Sequence, residues 1–125
     1  MKKRVIISIA LLIIAFSTCA VSFVLISNEI GRLRGALYDA IFTAENYGMS
    51  ESLTDTVMCE WNDVKRTFDI FLDENDVHDI ERIIPSIGDS LRGNDIKRYC
   101  ELCSECIHYL GVLLDNIKLR IENVL

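Results

Sequence analysis

VIISIALLIIAFSTCAVSFVLIS, residues 5–27, holds no charged side chain. Its 23 residues make about 34 Å of helix, enough to cross a hydrocarbon core of about 30 Å. Lys2, Lys3 and Arg4 precede it directly. A basic tip is retained on the cytoplasmic side, so the segment predicts a signal-anchor, with residues 28–125 outside the cytoplasm. Two other processing routes leave the domain exported as well. Thr18-Cys19-Ala20 offers a small-residue cleavage site, although the apolar run continues past it to Ile26. Cys19 is also a candidate for lipidation, although Phe16-Ser17-Thr18 suits that processing poorly.

Charge separates the remainder from this segment. The chain of 125 residues carries a net −6. From Asn28 onward it has 10 Lys and Arg against 19 Asp and Glu, a balance of −9. Such a domain repels nucleic-acid phosphates, whose binding needs cationic side chains. Half of the chain is hydrophobic, with one Pro and few Gly, which favours packed helices over turn-rich β structure.

Apolar residues recur at three- and four-residue steps in four blocks. The first runs through Ile30, Leu33, Leu37, Ile41, Ala44 and Tyr47. Gly31 and Gly35 are tolerable inside a helix, so this block is expected to continue the membrane span outward to about Gly48. Ser50 or Ser52 can cap the second helix, whose stripe is Leu53, Val57, Trp61, Val64, Phe68 and Leu72. The third carries Val77, Ile80, Ile84, Ile87 and Leu91, with Pro85 expected to kink or interrupt it. After Arg92-Gly93-Asn94-Asp95, with Asn94 as a candidate cap, the fourth shows Ile96, Tyr99, Cys103, Ile107, Leu110, Leu114, Ile117, Ile121 and Val124.

The expected architecture is all-α: a tip at 1–4, a transmembrane helix at 5–27 and an acidic domain at 28–125. Its helices are expected near 28–47, 51–73, 76–92 and 95–123. Short connections make neighbours antiparallel, giving a small bundle of three to four helices in which the first packs only partly.

Several features could carry chemistry. Cys100, Cys103 and Cys106 repeat the CxxC spacing of zinc and redox sites. On one helix Cys103 falls near the centre of the apolar stripe, with its neighbours about 60° to either side and His108 on the opposite face. Core packing of the three is therefore expected ahead of a disulfide or a metal site. Cys59 projects away from its own stripe, so free thiols are expected in the exported domain. Trp61, Phe68 and Phe71 could form a ligand-binding patch, but aromatic residues at this spacing more often fill a core. Asp73, Glu74, Asp76, Asp79 and Glu81 lack the pattern of a calcium loop and suit a helix start. His78 stands without a nucleophile or a second histidine. No phosphate loop or nucleotide fingerprint occurs. No enzyme activity and no cofactor is expected.

A resemblance adds to this reading. A basic tip and span are followed by Trp61 within CEWNDVKRTFDIFLD, the acidic start DENDVHDIERI, the break RGND and the ending Glu122-Asn123-Val124-Leu125. In that order they resemble short bacterial membrane proteins of domain of unknown function family 4363. The histidine that the family is expected to show near Glu74-Asn75 stands slightly later here, at His78. The resemblance implies a membrane-anchored helical protein and no known activity.

The expected partners are the lipid bilayer and either another envelope protein or a second copy of the chain. Trp61, Phe68, Leu72, Ile84, Cys103, Leu110 and Leu114 are the core or interaction candidates. A ligand-sensing ectodomain is the alternative function. With MKKR as the expected cytoplasmic part, it would signal sideways through a partner membrane protein. A thiol-redox or metal-binding protein ranks below both.

Overall fold

A computed structural model shows four helices, α1 (Lys2–Tyr47), α2 (Glu51–Phe71), α3 (Glu74–Arg92) and α4 (Ile96–Val124). It describes residues 2–124, with the side chains of Phe71 and Val124 excepted. The roles read above for Phe71 in an aromatic patch, Val124 in a stripe and Leu125 in the chain ending lie outside the described residues.

The first helix has 46 residues and no break, about 69 Å of continuous rod. Its two halves behave differently. Every described residue before Ser22 is exposed. This half is long and apolar enough to cross a membrane. Packing starts at half-buried Phe23 and becomes complete at Ile26, which is 2% exposed. Ile30, Leu33, Leu37, Ala40 and Ala44 then continue one buried stripe. The second half of α1 therefore packs into the bundle along its whole length, through one side. Tyr47, read as the end of that stripe, is 84% exposed, because the helix stops there and Gly48 turns the chain away with φ +97°.

The helices pack as a four-membered ring. Contacts join α1 to α2 and α4, and α3 to α4 and more sparsely to α2. The short connections turn each helix back on the last, so ring neighbours are antiparallel. Asp76, at the start of α3, accordingly meets Arg120 near the end of α4. The end of α4 and Leu72 reach back to the apolar half of α1, where Ile117, Ile121 and Leu72 share an apolar crevice with Cys19, Phe23 and Ile26.

Local chemistry explains the helix ends. Ser50 caps α2, its Oγ accepting from the Leu53 N–H at 3.2 Å. Between α3 and α4 the expected cap is displaced by one residue. Asn94 takes the left-handed conformation, φ 55°, and ends α3; its N–H donates to the Leu91 carbonyl and that of Asp95 to the Ser90 carbonyl. Asp95 is the residue that caps α4, accepting from the Arg98 N–H at 3.1 Å. Pro85 does not interrupt α3. Its ring lies on the exposed side, where water can satisfy the carbonyl that loses its donor.

The buried faces follow the stripes with one systematic shift. On α4, Leu102, Cys106 and Leu113 join Tyr99, Cys103, Leu110 and Ile117 in the core, whereas Ile96 is exposed. Because α4 lies between α1 and α3, it buries a broad arc rather than a single line. Thr54 and Tyr99 form a polar contact inside this core, with hydroxyls 2.7 Å apart. The single Thr54 proton points to the Ser50 carbonyl at 2.8 Å, so Tyr99 donates to Thr54.

A double-mutant cycle measures this contact. Thr54→Val leaves the buried Tyr99 hydroxyl without an acceptor and is expected to lower stability by about 1–3 kcal/mol. Adding Tyr99→Phe should recover most of that loss. Losses for Thr54→Val and Tyr99→Phe that simply add in the double variant would show that the hydrogen bond contributes nothing.

Candidate functional site

The cysteine triplet lies on the inner side of α4. Cys103 and Cys106 are fully buried and Cys100 is half-buried. Loss of water raises all three thiols: Cys103 and Cys106 are pushed up to about 12, with a smaller contribution from a neighbouring cysteine. Cys100 is raised by burial and then by Glu45. Thiols so placed stay protonated at neutral pH, which opposes both metal ligation and nucleophilic attack. Among the described residues no group of three His, Cys, Asp or Glu side chains converges as a metal site, and all five cysteines are free. His108 is exposed, as is Cys59.

Trp61 and Phe68 also face inward. They are buried and meet edge to face, with ring centroids 6.1 Å apart and planes at 74°. That arrangement suits the ring quadrupoles and fills the core. Ile84, Leu110 and Cys103 are likewise buried, whereas Leu72 and Leu114 are half-buried against them. Most of the residues singled out in the sequence thus hold the bundle together from inside and offer little surface to a partner.

Acidic side chains at the start of α3 diverge around the helix. Asp76 accepts two hydrogen bonds from Arg120, at 2.9 and 3.1 Å. Glu81 lies 3.5 Å from Lys65 on α2, and Asp79 lies 3.9 Å from Arg82. His78 is exposed. Each of these three carboxylates thus has a basic neighbour; Asp76 links α3 to α4 and Glu81 links it to α2, while Asp79 pairs within α3.

Two surface features were not read from the sequence. One is the apolar crevice between the upper span and the end of α4. The other is the outward side of α1 above Ile26, where Tyr38 is 53% and Phe42 63% exposed. No apolar stripe signals the second, because Gly31 and Gly35 dilute it. No protein-family profile, curated protein or solved structure matches the chain.

Two measurements check this description. A maleimide at neutral pH should modify Cys59 in the folded protein and reach Cys103 and Cys106 only after denaturation; rapid native labelling of either buried thiol would contradict their placement. The second concerns Asp76. The Arg120 hydrogen bonds hold its carboxyl below the ordinary 3.8, against the opposing effect of burial. Because the folded value is the lower one, the stabilisation is complete above the unfolded value and lost as pH falls through the folded one. Arg120→Met, which keeps an apolar stem, should cost up to about 1 kcal/mol at neutral pH, given the exposure of the pair. That difference should shrink as pH falls below 3.8 and close once Asp76 is protonated in the folded state as well. A gap unchanged in acid would assign the loss to packing instead.

Proposed function

We propose that this chain is a single-pass, signal-anchored envelope protein whose outer four-helix bundle serves as a structural or protein-interaction module. The observation that carries the reading is the division of α1. Its basic-tipped, apolar first half lies outside the bundle, while its second half is one of the four core helices. From Val5 to Val21 the uncovered part has 17 residues, about 26 Å, close to the thickness of a hydrocarbon core. The flanking Lys2, Lys3 and Arg4 favour a cytoplasmic N-terminus, and the acidic bundle suits the far side. The proposed placement agrees with the resemblance to domain of unknown function family 4363.

The interior of the bundle supports interaction over catalysis. Its buried thiols are raised far above neutral pH, and Asp76 and Glu81 are paired with Arg120 and Lys65. What the bundle offers outward is helix surface, the usual material of protein contact.

Orientation is tested at Cys59, which is exposed on α2. In cells of a bacterial host, a membrane-impermeant maleimide added from outside should label Cys59 of the full chain once the outer membrane is opened. Labelling that appears only after the inner membrane is lysed would place the bundle in the cytoplasm and remove the reading.

A further inference from the structure

The outward side of α1 has a spacing of its own. Asn28, Gly31, Gly35, Tyr38 and Phe42 follow one another at steps of three, four, three and four residues, and all are exposed. Alternation of three and four averages the 3.5-residue period of a coiled-coil seam. The row continues down into the span through Val24, Val21 and Ser17, again exposed. Neither α2 nor α4 covers it.

The fold itself gives no reason for this composition. A Cβ built on Gly31 or Gly35 would meet nothing within 4 Å. Each glycine weakens the helix relative to alanine. Absent side chains at positions four apart allow another helix backbone to approach closely, as in membrane-helix pairs. Tyr38 and Phe42 sit directly above that gap and would be covered by the approaching helix.

The occupant follows from symmetry and charge. Two copies inserted in the same membrane in the same sense are parallel, so identical residues meet in register. Asn28 then faces Asn28 of the second copy. A carboxamide both donates and accepts, so it pairs with its own image; asparagine at such a seam position is a known device for fixing register. Arg34 and Asp39 flank the row on opposite sides, five residues apart. In a parallel in-register pair this spacing sets Arg34 of each chain beside Asp39 of the other, twice over by symmetry. Neither residue enters an ion pair among the described residues.

We infer that the exposed side of α1, centred on Gly31 and Gly35, is the surface on which two copies of this chain pair in parallel in the membrane. The inference rests on the anchored-interaction reading and names its partner as a second copy. It makes α1 the shared axis of the dimer, with the two bundles held on opposite sides.

The test uses the full chain in phosphatidylcholine vesicles, with donor and acceptor dyes on Cys59 in a Cys19→Ala background. Energy transfer is expected, and it should fall as lipid dilutes the protein. Gly31→Leu with Gly35→Leu should weaken association by about tenfold or more, because close backbone contact is lost. The thermal midpoint should not fall, since the new side chains meet open space and favour the helix. Asp39→Arg alone should weaken pairing, and Arg34→Glu combined with Asp39→Arg should restore most of it. A wild-type chain without transfer at high protein density overturns the inference, as does association that ignores the glycine substitutions. A photo-reactive residue at Tyr38 separates the two readings in cells. Capture of a different envelope protein, with the wild type single in vesicles, ends the self-pairing and leaves the anchored-interaction reading standing. Cys59 closed to the outside ends that reading itself.

Discussion

A single unbroken helix carries an uncovered apolar half and a core-forming half. The apolar half is long enough to cross a membrane, and an unbroken helix pairs its own backbone groups as a hydrocarbon setting would require. Above that run the same helix supplies the stripe from Ile26 to Ala44 on which α2 and α4 pack. Because no turn intervenes, the orientation of the stripe around the helix is coupled to that of the span. The bundle is therefore seated in one rotational setting rather than hung on a flexible tether. The end of α4 and the turn after α2 come to rest beside Cys19, Phe23 and Ile26, at the top of the span.

Stability of the bundle comes from burial, with polar groups used sparingly. Ile, Leu and Val fill the centre, each fully buried side chain contributing about 1.5–3 kcal/mol before entropy is counted. Thr54 and Tyr99 make a polar contact at depth, and they satisfy each other together with the Ser50 carbonyl. The cysteines fit the same economy as small, nearly apolar side chains that fill space between α4 and its neighbours. Their spacing on α4 reflects helix periodicity, since residues at 100, 103 and 106 all turn toward the inner half of one helix.

Much of the fold was legible because apolarity and spacing are local. Val57, Trp61, Val64 and Phe68 read as one face of a helix, and they are that face. Departures occur where a second helix changes what local spacing means. Ile96 belongs to the α4 pattern yet is exposed, and Leu102 and Leu113 are buried outside it, because α4 is embraced from two sides. Asn94 and Asp95 are both acceptable caps in sequence. The left-handed turn at Asn94 leaves Asp95 to receive the Arg98 N–H. Of the candidate residues, Trp61, Phe68, Ile84, Cys103 and Leu110 proved internal, while the outward row on α1 escaped notice because glycine has no side chain to register in a hydropathy pattern.

By itself the sequence determined that a charge-free run follows a basic tip, that the rest is acidic, and that four amphipathic helices joined by short turns make up the chain. These are sums and periods over neighbouring residues, and no distant contact is needed to read them. Only the tertiary structure decided where the apolar run passes into the bundle, at Phe23 and Ile26. It also decided that Asp76 meets Arg120, that Tyr99 finds Thr54, and which side of α1 stays uncovered. The physical reason is the same in each case. Burial, pairing and exposure depend on what another part of the chain brings alongside, and in a ring of four helices that neighbour lies twenty or more residues away.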